Sequence, residues 1–243
     1  MTAPESEPDE RVSTPRGELV LRSRGGHHEI VSNGVFLMDT RAGESERLLV
    51  RAALERVPAG ARLLLGGLGV GFSLAEAVRS ARLSEIVVVE IEPAIVGWHR
   101  TVLRAYSGGA LDDPRVRVVT ADLLGWLART RERFDAICLD IDNGPDWTVF
   151  EGNNLLYEDR GVGLVRSRLR PGGVLAVWSA TESARYAELL AARVGPVRTV
   201  RVPVGRGEPD VVYLSGTSPV DPRGSTGLAE NGGIRPGRTG RAP

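Results

Sequence analysis

The sequence predicts an α/β fold: a doubly wound, mostly parallel sheet with helices on both faces, preceded by a small β-hairpin layer. Three observations predict it. Short apolar runs alternate with helical stretches from Arg62 to Arg193. A glycine-rich turn joins the first apolar run to the first helix of that series. An Asn33-Gly34 pair, a strong hairpin signal, sits between β-like stretches upstream.

Each element follows in order. Residues 1–16 are polar with three prolines, and residues 217–243 are rich in Gly, Pro and Arg. Neither end can bury enough apolar surface to offset its ordering entropy, so both are expected to be disordered tails. Residues 17–58 form an N-terminal unit: β-like stretches Glu18–Arg22, Glu29–Ser32 and Val35–Asp39, then a helix Glu44–Val57 stopped by Pro58. Residues 59–216 form the main domain. Its runs Arg62–Leu65, Ile86–Val89, Val116–Val119, Phe134–Leu139 and Val174–Trp178 read as strands buried on both faces. Helices are expected over Phe72–Ser80, Pro93–Tyr106, Asp122–Thr130, Asp159–Leu169 and Ser183–Arg193, with strands Thr199–Val204 and Val211–Leu214 last. In such sheets ligands bind outside the carboxyl ends of the strands.

Composition excludes several classes of chemistry. All 31 basic residues are Arg, so no lysine can form a Schiff base, act as a nucleophile or serve a Walker-type phosphate loop. Cys138 is the single cysteine, which excludes an internal disulfide and a CxxC site. Three scattered histidines make no metal cluster. Net charge is zero and aromatics are 5%, which favours neither nucleic acid nor an anionic membrane as partner. No run of 18 apolar residues occurs and the first residues lack an apolar segment, so the expected location is cytoplasmic.

Four motifs carry the functional reading. Leu65-Gly66-Gly67-Leu68-Gly69-Val70-Gly71 closes a strand and opens a helix. A tight turn alone needs one or two glycines rather than four. The dinucleotide pattern GxGxxG wants a small third residue, but Phe72 or Leu74 stands there. The spacing fits GxGxG, a loop that cradles S-adenosylmethionine through Gly66, Gly67, Gly69 and Gly71. Glu90 ends the second strand, 19 residues after Gly71, where a carboxylate can accept both ribose hydroxyls. Glu92 is the other acid there. Asp122 follows the third strand, placed either to cap a helix or to bind the adenine amino group. Asp140 and Asp142 follow the fourth strand and form an acidic lip, suited to hold a cationic acceptor and remove its proton, or simply to cap turns. Trp147, in the same loop, is placed to close over the pocket; Cys138 reads as an inert core thiol.

Together these residues resemble the spermidine and spermine synthases, from about Asn33 to Ser179. The resemblance rests on Asn33-Gly34-Val35, the Gly66–Gly71 loop, Val89-Glu90-Ile91-Glu92, Asp113-Pro114-Arg115-Val116, Phe134-Asp135 with Asp140 and Gly144-Pro145, Leu156-Tyr157, and Leu169-Arg170-Pro171-Gly172-Gly173-Val174. It implies a Rossmann-like sheet of the class I methyltransferase type behind an N-terminal hairpin layer. It also implies Glu90 on ribose, Asp122 on adenine, acceptor-site acids at Asp140 or Asp142, a small and cationic acceptor, and a homodimer. The chain departs from the family pattern in three places. Gly69 stands where the loop carries an Asp that holds the amino group of decarboxylated S-adenosylmethionine. Glu44-Ser45-Glu46 stands for Tyr-His-Glu, and Asp-Ile-Asp-Asn for Asp-Ser-Ser-Asp. The neutral Gly69 favours intact S-adenosylmethionine and methyl transfer over the alternative, aminopropyl transfer from the decarboxylated form. A non-catalytic adenosyl-binding protein and an NAD(P)-dependent dehydrogenase are the remaining readings; the second lacks both its small third residue and a Ser-Tyr-Lys donor set.

Overall fold

The computed structural model describes residues 9–205 and 207–216. Seven strands form the central sheet: β5 (Ala61–Gly66), β6 (Leu83–Glu90), β7 (Val116–Thr120), β8 (Phe134–Leu139), β9 (Leu169–Ser179), β10 (Val197–Val202) and β11 (Asp210–Gly216). Their order is β10-β11-β9-β8-β5-β6-β7. Pairs from β7 through β9 are parallel, while β11 runs antiparallel to both β9 and β10. The chain builds outward from β5 through β6 to β7, then returns to β8 on the other side. The crevice where that order reverses lies between the carboxyl ends of β5 and β8.

Strict alternation explains why both faces are covered. Leu63, Leu65, Ile86, Val88, Ala136 and Cys138 enter one core with α1 (Glu44–Leu54), α2 (Phe72–Val78) and α3 (Pro93–Trp98). Leu64, Val87, Val89, Ile137 and Leu139 enter the other with α4 (Leu123–Arg129), α5 (Asp159–Ser167) and α6 (Ala184–Arg193). Successive side chains of a strand point to opposite faces, so a continuous apolar run is buried twice. Cys138 lies in this core, and burial pushes its thiol pKa up.

In front of the sheet lies a four-stranded antiparallel meander: β1 (Glu10–Thr14), β2 (Gly17–Arg24), β3 (His27–Ser32) and β4 (Val35–Asp39). Asn33, at φ 50, and Gly34 turn β3 into β4, as the Asn-Gly pair predicts. The expectation of a disordered tail through residue 16 is corrected here. Glu10–Thr14 pairs in register with β2, and Arg16 reaches the main domain through Glu92. A polar edge strand gains its order from ladder hydrogen bonds and an ion pair, which hydrophobic patterning does not register. Residues 1–8 and 217–243, the rest of the expected tails, lie outside the described residues.

The helix expected over 93–106 is also divided. α3 ends at Trp98, Thr101 adopts φ −126 and ψ −104, and a 3-10 turn resumes at Val102–Ala105. Gly97 and the β-branched pair Thr101-Val102 weaken helix propagation there. Among the described residues, no helix is long and apolar enough to cross a membrane.

Candidate active site

One large cavity, of about 1320 Å³, opens over the carboxyl ends of the parallel strands. Six of the eight residues expected in the site line it: Gly67, Gly69, Glu90, Asp122, Asp140 and Asp142. Gly66 and Gly71 do not. Gly66 is the last residue of β5, where a side chain would press on Leu139. Gly71 caps α2 at φ 94, where a side chain would strike His99. These two shape the turn that Gly67 and Gly69 present to the cavity.

The loop needs glycine for contact as well as for conformation. A Cβ on Gly67, at φ 90, would stand 2.0 Å from the Asp140 carbonyl oxygen across the crevice. At Gly69, at φ 51, it would meet the Met38 sulfur at 2.4 Å. Buried His99 hydrogen-bonds the Gly69 carbonyl through Nε2 at 2.8 Å, and burial lowers its pKa. Sequence reading assigned His99 no role, because a lone histidine on a helix carries no signal until the fold places it under the loop.

Glu90 lies at the tip of β6 and is 5% exposed. Its Oε2 accepts the Leu68 amide at 2.9 Å and its Oε1 the Glu92 amide at 2.8 Å. A carboxylate has roughly four lone-pair sites, so each oxygen keeps capacity for a ligand hydroxyl. Desolvation raises its pKa. Glu92, the alternative considered from sequence, has a different role. Its Oε1 accepts from Arg16 Nε at 2.6 Å, which anchors the N-terminal meander. Asp122 caps α4 through the Gly125 amide at 2.6 Å and also lines the cavity, so capping and lining coexist. A glycine loop, a buried strand-tip acid and a second acid, Asp122, on one rim fit an adenosyl cofactor.

The two acids after β8 differ. Asp142 accepts hydrogen bonds from the amides of Asn143, Val149 and Phe150 and from Asn153 Nδ2, at 2.6–3.3 Å. Those four donors fix the loop that follows β8. The Asp140 carboxylate accepts instead from the Ser73 hydroxyl, in the first turn of α2, at 3.1 Å. Burial, with the nearby charges of Glu46 and Asp210, raises the Asp140 pKa to about 7.

Glu46 and Asp210 were not singled out as site residues from sequence. Ser45 Oγ lies 2.8 Å from Glu46 Oε2 and 2.7 Å from Asp210 Oδ2, and both acids line the cavity. Their pKa values are raised, chiefly by burial. Asp210 arrives there because β11 is antiparallel: Val211 pairs with Ser179, so the start of β11 meets the end of β9. Apolar runs do not report strand direction. For Glu46 a signal existed, the Glu-Ser-Glu standing for Tyr-His-Glu.

Comparison with known proteins gives these features a context. A family model described as "Spermine/spermidine synthase domain" matches residues 45–192. A polyamine aminopropyltransferase of Mycobacterium tuberculosis is 34% identical over 165 residues, covering 66% of this chain and 30% of that protein. Polyamine aminopropyltransferase 1 of Hyperthermus butylicus is 32% identical over 164 residues, 65% of this chain and 54% of that one. The chain thus spans between about a third and about half of these relatives. Spermidine synthase from Thermotoga maritima superposes with a TM-score of 0.71 at 15% identity, covering 86% of this chain and 72% of that structure. This likeness shows the expected Rossmann-like, methyltransferase-type fold. With the family model covering more than half its length, the chain belongs to the spermine/spermidine synthase family.

Proposed function

We propose that the protein transfers an aminopropyl group from decarboxylated S-adenosylmethionine to a primary amine of the polyamine class. The carrying observation is the set of three carboxylates, Glu46, Asp140 and Asp210, gathered in the same cavity as the glycine loop and Glu90. Buried acids with raised pKa values gain most from a cationic partner, which offsets the desolvation of their charged forms. The names of the relatives agree with this reading.

Methyl transfer, which the neutral Gly69 favours in the sequence, loses its support. An acid at position 69 would need Met38 to move, and the cavity beside that loop already carries the carboxylates of Glu46, Asp140 and Asp210, so a neutral Gly69 does not leave it without acids for a cationic cofactor. The decarboxylated cofactor, with its bare ammonium, is therefore preferred over intact S-adenosylmethionine.

Gly67, Gly69, Glu90 and Asp122 would hold the cofactor. When bound, it supplies a propyl carbon activated by a sulfonium, whose departure as a neutral thioether needs no acid. What remains for the chain is to position a free amine in line with that carbon. Asp140, with a pKa of about 7, is matched to take a proton from the acceptor's ammonium near neutral pH. Asp142, engaged by four donors, holds the loop instead. Glu46 and Asp210 bind the acceptor's charge.

Competition calorimetry with the two cofactor forms, joined to mass spectrometry of products with putrescine, tests this. Tighter binding of the decarboxylated form and an aminopropylated product are expected. Tighter binding of S-adenosylmethionine with a methylated product overturns the proposal.

A further inference from the structure

The described residues include five large apolar side chains that stand well exposed: Val35, Phe36, Trp147, Leu155 and Val204. They are not scattered. All but Leu155 line the same cavity that holds the three carboxylates. They come from three separate segments: β4, the loop after β8, and the loop between β10 and β11. Trp147 is 60% exposed and Phe36 49%. Isolated exposed apolar residues need no explanation, but a set converging on one opening marks a binding surface.

The rim is built rather than loose. Asp142 accepts the Val149 and Phe150 amides on the far side of Trp147, and Ser183 Oγ bonds Asp146 at 3.0 Å on the near side. Thr148 Oγ1 bonds Asn154 at 2.7 Å. The segment carrying Trp147 is thus hydrogen-bonded on both sides. Acids that could draw a further cation to the mouth are few. Asp39 is paired with Arg41, Asp142 is engaged, and Asp122 caps α4 and is assigned to the cofactor above, which leaves exposed Glu151.

We propose that the acceptor is an N-alkyl or N-aryl di- or polyamine. Its ammonium groups meet Glu46, Asp140 and Asp210, and its apolar group covers the Trp147–Phe36–Val204 rim. This rests on the aminopropyl-transfer reading and adds the acceptor's chemical class to it. Three carboxylates suit more than one ammonium, and an apolar cap removes from water the surface that a bare diamine leaves wet.

The test is a series of N-alkylputrescines with lengthening alkyl chains, against putrescine itself. The readouts are KM with decarboxylated S-adenosylmethionine and, separately, calorimetric affinity in the presence of 5′-methylthioadenosine. Each methylene that reaches the rim should tighten binding about three- to fourfold. Trp147→Ala should flatten that dependence when each variant is scaled to its own putrescine value. An affinity indifferent to alkyl length, or a slope that Trp147→Ala leaves unchanged, overturns the proposal. So does sedimentation showing a dimer that Trp147→Ala dissociates while the slope persists, since the rim then covers a second copy. If no acceptor turns over, the aminopropyl-transfer reading fails, and the calorimetric series still decides the acceptor class.

Discussion

Replacing Glu90 by Ala should damage the protein twice, and the two effects can be measured apart. In the structure the carboxylate accepts the Leu68 and Glu92 amides at 2.9 and 2.8 Å, and the residue is 5% exposed. Without it, two buried N–H groups lose their acceptor, at about 1–3 kcal/mol each. The expected loss of folding stability is about 2–6 kcal/mol, a large share of the ~5–15 kcal/mol of a typical domain. Water entering from the cavity would place the result at the lower end. The second effect is on the cofactor: removing charge-assisted hydrogen bonds to ribose should weaken binding by a further ~1.5–3 kcal/mol. Urea denaturation of the free protein reads the first, and calorimetry under conditions where the variant is folded reads the second. A stable variant with weakened binding would make Glu90 a ligand contact alone. An unstable variant with unchanged affinity would remove it from the site. Unchanged values of both would refute the reasoning from buried amides altogether.

Four further outcomes follow from the structure. Asp140 has a folded pKa of about 7 against an ordinary 3.8, so its contribution to stability is fully present below about pH 4 and is lost as pH rises through 7; Asp140→Asn should flatten the decline of urea midpoints across that window and abolish the rise of activity through neutral pH. Arg16→Ala leaves the Glu92 carboxylate, with a side chain 4% exposed, without its cation; a destabilisation of about 1–3 kcal/mol is expected, because Arg16 itself is partly solvated. Deletion through residue 16 should lower the melting temperature by several degrees, whereas deletion of residues 1–8 should not, and equal melting curves for the two truncations would contradict the anchoring role of β1 and Arg16. Asp142→Ala removes the acceptor of four donors; limited proteolysis should cut the segment 143–153 faster, and the acceptor KM should rise more than kcat falls.

What the sequence by itself determined is what local patterning encodes. Runs such as Ile86–Val89 and Ala136–Leu139 are buried along their length, and a strand covered on both faces is what buries such a run. Four glycines between a strand and a helix marked the loop, and acids placed just past successive apolar runs marked the strand tips. These features depend on residues adjacent in the chain. Tertiary structure decided what depends on direction and distance. Asp210 reaches the site because β11 enters the sheet antiparallel, and Glu46 because α1 packs its first turn against the same edge. Asp140 and Asp142 look equivalent two residues apart, yet one meets a serine hydroxyl and the other four donors. Glu10–Thr14 carries no hydrophobic pattern and is ordered by a neighbouring strand and by Arg16 on Glu92. Hydrogen-bond partners lying 67, 76 and 165 residues away in sequence leave no trace in local composition, so only the folded chain could reveal them.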